Sequence, residues 1–142
     1  MYEAVDPKEF LSVLVDLMNE HSELKDSMSL HKANEYLATY LAENKLSGFA
    51  VTKDKEIANV FNVDKKALFV LPKMIKQAIA AGGNWMNMFD GPLVNFYKKY
   101  GFVEYKRDKN WTAGGPDVVY MKLASTNESI NAYVGYLNAI IK

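Results

Sequence analysis

Proton-transfer chemistry has few candidates in this chain, and cysteine, which is absent, is not one of them. There is no thiolate nucleophile, no disulfide and no cysteine-based zinc site, a composition suited to a reducing cytoplasm. Glu56, Asp64 and Glu104 lie near the ends of predicted strands, where a carboxylate has the chemistry of a general base. Acidic residues at turns are ordinarily solvated, and spacing singles out none of the three. His21 and His31 lie in or beside a polar stretch with no helical i, i+4 pair and no carboxylate-rich setting, so no metal site is predicted. Lys73 and Lys76 flank a predicted helix start, where they offer either local positive charge for a polyanion or an ordinary solvated surface. Trp85, Met86, Met88 and Phe89 read as core, whereas Trp111, in a late loop, would mark a contact if exposed.

Any such group needs a scaffold, and 142 residues suffice for one domain with a proper core. Hydrophobic residues make up 49% and charged residues 24%, which excludes wholesale disorder. Lys+Arg and Asp+Glu number 17 each, so no global field recruits nucleic acid or an anionic membrane, and an anion site must be local. No apolar run approaches the roughly 20 residues that span a bilayer, and the first residues lack the pattern of a secretory leader. A single domain over residues 1–142 is expected, with a core over about 5–123.

The chain then reads in order. Asp6 as N-cap, Pro7 at the first helical position and Glu9 in capping-box position start a helix that carries Phe10, Leu14, Leu17 and Met18. Residues 21–28 are polar and predict a loop. Ser29 starts a second predicted helix, with Leu30, Ala33, Leu37, Tyr40 and Leu41 on its apolar face. Residues 49–52 and 57–61 predict two strands joined by a polar hairpin turn, and residues 67–71 a short strand. Pro72 opens a helix packed through Met74, Ile75, Ala78 and Ile79 and capped by Gly82 and Gly83.

Residues 84–89 predict a buried strand. Asp90 is the expected N-cap of a helix with Leu93, Phe96, Tyr97 and Tyr100 on one face, and Gly101 suits its exit. Residues 102–107 predict a strand with Val103, Tyr105 and Arg107 on one face, and residues 118–123 a closing strand. Ser125 to Glu128 resemble a capping box, opening a C-terminal helix over about 126–141 that carries Ile130, Tyr133, Val134, Leu137 and Ile141.

The run Phe96, Tyr97, Lys98, Lys99, Tyr100, Gly101, Phe102 resembles the "FYxxxGF" signature of the GCN5-related N-acetyltransferase (GNAT) family. Asp90, seven residues before Tyr97, stands where that family usually has Asn. The hairpin resembles the family's second and third strands. The resemblance implies an α/β (α+β) fold: a mixed, mostly antiparallel central sheet flanked by helices, to which the C-terminal helix is an addition. It also implies that the early helix–loop–helix walls the acceptor cleft.

For function, the resemblance implies transfer of acetyl from acetyl-CoA to an amine of a small molecule or protein, with Tyr97 protonating the departing thiolate. The cofactor would lie between the fourth and fifth strands, against Phe69, Val70, Leu71, Lys73, Lys76, Asp90 and Tyr97. In the family, a glycine-bearing loop holds the pyrophosphate through its N–H groups. Here Ile75, Ala78 and Ala80 fall on its Arg/Gln and Gly positions, so that loop is abbreviated or lost. A second reading follows: a catalytically degenerate GNAT-like module that binds a protein partner, similar to domains of phages and mobile elements. The C-terminal helix would then patch the domain or form a homodimer surface.

Overall fold

The computed structural model describes residues 2–67 and 70–124; Phe69 and the expected C-terminal helix lie outside the described residues. Contacts divide the chain into two compact units, Met1–Gly83 and Asn84–Lys142.

In the first unit, four strands pair antiparallel in the order β1 (Tyr2–Val5), β2 (Tyr36–Ala42), β3 (Ser47–Thr52) and β4 (Ile57–Asn62). All six residues of β3 are buried, the pattern of a strand covered on both faces. Ala50 joins a core with Phe10, Leu14 and Leu17 of α1 (Pro7–Glu20), Leu24 of α2 (Ser22–Ser27), and Tyr36, Leu41 and Phe61. Its neighbours Phe49 and Val51 point to the opposite face, where Phe49 stacks on Tyr40 and meets Tyr2 edge-on. Helix α3 (Val70–Ala80) contacts β3 and β4 and buries Met74, Ile75 and Ala78.

The start of α1 follows the sequence reading: Asp6 caps it by accepting from the Lys8 N–H, and Pro7 takes the first turn. The stop of α3 does too. The Gly82 N–H bonds the Ile79 carbonyl and the Gly83 N–H the Ala78 carbonyl, with Gly82 at φ 104°, a Schellman ending.

Three expectations fail in this unit. Residues 29–41 are not a helix but a 3-10 turn (Ala33–Glu35) followed by β2, and residues 21–28 are not a loop but mostly α2. The cause in β2 is a bulge between Tyr36 and Ala38, which spaces the buried residues Tyr36, Thr39 and Leu41 irregularly and imitates a helical repeat. Val70 and Leu71 open α3 rather than close a short strand, and Pro72 sits inside its first turn, where its missing N–H costs little. The early strand β1 had no counterpart in the sequence reading.

In the second unit, β5 (Trp85–Phe89), β7 (Val118–Leu123) and β6 (Phe102–Asp108) pair antiparallel in that order, with α4 (Pro92–Lys98) packed on β6. Met86, Phe102, Val119 and Met121 are buried, as are Val94 and Tyr97 of α4. The expected stripe through Leu93 and Tyr100 is corrected: Leu93 is exposed and α4 stops at Lys98. Gly91, not Asp90, occupies the N-cap position of α4. Val103, Tyr105 and Arg107 do not share a face, because a bulge at Tyr105 pairs Val103 with Lys122 but Arg107 with Val119. Among the described residues every strand pairing is antiparallel.

A Cβ at Gly83 would meet Ile57 Cγ1 at 2.5 Å and the Ala78 carbonyl at 3.0 Å. Gly83→Ala is therefore expected to cost about 1–3 kcal/mol in urea unfolding. Adding Ile57→Ala removes the nearest of the clashing atoms, so the double variant should lose less than the sum of the singles by about 0.5 kcal/mol or more. Strict additivity would refute the clash.

Candidate functional site

Four side chains from two separate stretches of the sequence, residues 31–36 and 56–59, converge in the first unit. Glu56 sits at the end of the hairpin turn and immediately precedes β4, its N–H bonded to Thr52 Oγ1 at 3.1 Å. Its side chain is 14% exposed, and His31 Nε2 approaches Glu56 Oε1 to 3.6 Å. His31 belongs to the segment between α2 and the 3-10 turn, and its ring meets Tyr36 edge-on at 5.6 Å.

Tyr36, at the start of β2, is buried and donates its hydroxyl to Asn59 Oδ1 at 2.7 Å. The same hydroxyl accepts from the His31 backbone N–H at 3.3 Å. Asn59, in β4, returns the link by donating Nδ2 to the Ser29 carbonyl at 3.0 Å. The segment at residues 29–31 is thus tied to β2 and β4 by one hydrogen bond each, the two anchors are themselves bonded to each other, and the imidazole is held against the carboxylate.

Asn59 can make both bonds because its backbone is left-handed, at φ 52°. The β3–β4 register shifts between Gly48 and Ala50, so β4 carries an extra residue there. Asn tolerates that conformation better than most side chains.

Burial pushes the Glu56 carboxyl above its ordinary range, Asp54 adds to the rise, and the His31 charge opposes it. Burial likewise raises the Tyr36 phenol, against the His31 N–H. Chemically the arrangement is a part-buried carboxylate with a raised pKa, able to accept a proton, beside a more exposed imidazole. The sequence reading named Glu56 and His31 but joined neither to the other, nor to Tyr36 and Asn59. The available signal was the lone Asn in the apolar run of β4, which interrupts an otherwise clean strand.

The other candidates fall elsewhere. Asp64 is a turn residue, accepting from the Lys66 N–H and Asn44 Nδ2. His21 links α1 to α2 and lies 3.5 Å from Glu23. Lys73 and Lys76 are exposed on α3, while Val70 and Leu71 of the same helix are half-buried. Among the described residues no cluster of metal-binding side chains occurs, and no helix is long and apolar enough to cross a membrane.

In the second unit, Tyr97 is 5% exposed, packed edge-on to Phe96 and Phe102. Burial pushes its phenol up to about 12. Asp90 and Glu104 both hold Arg107, at 2.7 and 2.6 Å, with Asp117 at 3.4 Å. The Arg107 bond draws the Glu104 carboxyl below its ordinary range. Met86 is core, Trp85, Met88 and Phe89 are half-buried, and Trp111 is 79% exposed, tilted against Phe89.

No family model matches the chain, and no curated protein matches it. Among solved structures, apo-form YjaB from Escherichia coli is similar at a TM-score of 0.57 and 14% identity, over 89% of this chain and 98% of that one. The crystal structure of a "putative acetyltransferase" from Agrobacterium tumefaciens matches at a TM-score of 0.45 and 11% identity, over 85% and 94%. The likeness to YjaB shows the fold alone: α+β, GNAT-like, with antiparallel sheets flanked by helices.

Two outcomes test the cluster. Tyr36→Phe leaves Asn59 Oδ1 without its donor and the His31 N–H without its acceptor, at an expected cost of about 1–3 kcal/mol in urea unfolding. A carboxyl raised on folding binds its proton more tightly in the native state. Its contribution to stability is therefore present below the unfolded value and declines as pH rises through the raised one. Glu56→Gln should flatten that decline when midpoints at pH 4.5 and pH 7.5 are compared with wild type; an unchanged difference would sink the assignment.

Proposed function

We propose that this chain is an N-acetyltransferase that moves acetyl from acetyl-CoA to an amine, small-molecule or protein, with Glu56 as the general base. The observation that carries the reading is the part-buried Glu56 carboxylate beside His31 in a GNAT-like fold. An ammonium acceptor must lose a proton before its nitrogen can attack, and a carboxylate raised toward neutrality accepts one more readily than a solvated one.

The residues fit acetyl-CoA in part. Lys73 and Lys76, three apart on the exposed side of α3, suit the phosphates. No glycine stands between Gly48 and Gly82, so a close main-chain cradle of the family kind is not on offer. When bound, acetyl-CoA supplies an activated acyl group with a thiolate leaving group. On this reading Lys73 and Lys76 hold charge, Val70 and Leu71 offer apolar surface, and Glu56 takes the proton.

Tyr97 is the weaker partner. A phenol near 12 gives a proton to a thiolate whose own pKa is near 8.5 against a gradient of roughly three orders of magnitude. Its burial between Phe96 and Phe102 supports a core role, with proton delivery as a secondary assignment.

That same burial, with the exposed Trp111, favours the second reading: a degenerate GNAT-like protein that binds a macromolecular partner, of the phage or mobile-element kind. Cytoplasmic residence and a homodimer belong to either reading.

Calorimetric titration with acetyl-CoA separates the two. The enzyme reading expects saturable binding, with stabilisation of about 2.7 kcal/mol at a hundredfold excess over Kd and a rise of several degrees in Tm. Glu56→Gln should keep that binding and lower kcat/KM by about 10²–10⁴-fold with an acetylated amine. Absence of heat and of thermal shift at millimolar acetyl-CoA overturns the enzyme reading and leaves the binding module.

A further inference from the structure

A base that sits mostly out of solvent must be emptied after each turnover, and the first unit places one group to do it. The Glu56 side chain is 14% exposed and the His31 side chain twice that, 28%, with Nε2 and Oε1 3.6 Å apart. Two hydroxyls near this carboxylate are committed elsewhere. The Tyr36 hydroxyl donates to Asn59, and the Thr52 hydroxyl donates to Asp54 while accepting from the Glu56 N–H. His31 is not carried there by chance of a loose loop. Its own N–H is bonded to Tyr36, and two residues earlier the Ser29 carbonyl is held by Asn59.

We infer that His31 is a positioning residue of this site, which orients the Glu56 carboxylate and carries its proton onward to solvent. The inference rests on the acetyltransferase reading. An acceptor ammonium gives one proton to Glu56: the N–H bond breaks and an O–H bond forms. The freed electron pair on nitrogen forms the N–C bond to the thioester carbonyl, and the C–S bond breaks with its electrons leaving on sulfur. The second amine proton neutralises that sulfur as a thiol. The proton on Glu56 passes to His31 Nε2, and the imidazolium releases one to water from Nδ1. The balance is ammonium plus thioester giving amide, thiol and one solvated proton. Glu35 from the 3-10 turn and Asp54 from the hairpin turn act on Tyr36 and Glu56 respectively, so the pair works within a negative surrounding.

The experiment has two arms on the full chain. In the first, the His31 ring resonances are recorded by NMR at about pH 7 in wild type and in Glu56→Gln; they should move in the variant, and unmoved resonances overturn the coupling. In the second, thiol release from acetyl-CoA is followed with primary amines ranging from alkylamines to a lysine peptide. His31→Ala should lower kcat by roughly a hundredfold, the lower end of what a proton-transfer group contributes, with KM for acetyl-CoA held. Added imidazole should restore part of the rate, which a packing role would not allow.

His31→Gln, closer in size, guards against a folding defect: it should keep the wild-type melting point and show the same slow, pH-shifted profile. Full activity in either variant, or a loss that imidazole does not relieve in a folded protein, overturns this inference and leaves the acetyltransferase reading standing. Absence of turnover by wild type with every amine overturns both, while moved His31 resonances in that case mark the pair as structural.

Discussion

The geometry of the first unit depends on one left-handed residue in the edge strand β4. Asn59 lies at φ 52° where β4 carries an extra residue, and it is buried. A side chain in that conformation costs about 1–2 kcal/mol relative to an extended one, so something must hold it. Two hydrogen bonds of the amide do, one accepted from Tyr36 and one donated to the Ser29 carbonyl. Glycine would take the backbone angle but offer no bridge. Aspartate would accept from Tyr36 but have no proton for Ser29. Only an amide of this length serves both sides, and the segment it holds is the one that brings His31 to Glu56.

How far the sequence disclosed this follows from how local each signal is. The start of α1 and the stop of α3 are written in adjacent residues, Asp6 with Pro7 and Gly82 with Gly83, and the reading of both agrees with the structure. The hairpin of β3 and β4 and the late pair of β6 and β7 are likewise carried by short runs and turns. Strand β2 was misread because its bulge destroys the two-residue period by which a strand is recognised. Helix α2 buries Leu24 alone, too little to show a period at all. The site was the least legible part: Glu56 and His31 are each unremarkable in sequence, and what joins them is the register of β2 against β3 and of β3 against β4.

The second unit answers a different local question, why Asp90 does not cap α4. Its carboxylate is taken by Arg107 from β6, whose guanidinium also holds Glu104 and reaches Asp117. The Asp90 N–H bonds the Asp117 carbonyl, so the end of β5 is fastened to the start of β7 by backbone and side chain together. Exposed ion pairs of this kind add little stability singly. Their effect here is positional: three carboxylates gathered on one fork keep the strand ends in register, and Gly91 is left as the N-cap residue without a side chain to bond.

Amine acetylation is asymmetric in its need for proton transfer, and two titratable groups that burial perturbs differ in the same sense. An alkylammonium with a pKa near 10.4 is neutral in roughly one molecule of a few thousand at pH 7, so a base has a large barrier to remove. A thiolate with a pKa near 8.5 leaves readily at the same pH and gains little from an acid. Glu56, raised by burial yet bordered by an imidazole with solvent access, suits the demanding half of that chemistry. Tyr97, raised to about 12 between two phenylalanines, has lost most of its value for the undemanding half. On the proposed reading, a GNAT-like domain spends its signature tyrosine on core packing and would keep a reactive centre as long as the carboxylate and its neighbour on the 29–31 segment stay in place. On the proposed acetyltransferase reading, the integrity of that segment, rather than of the "FYxxxGF" run, is the feature on which the chemistry would turn.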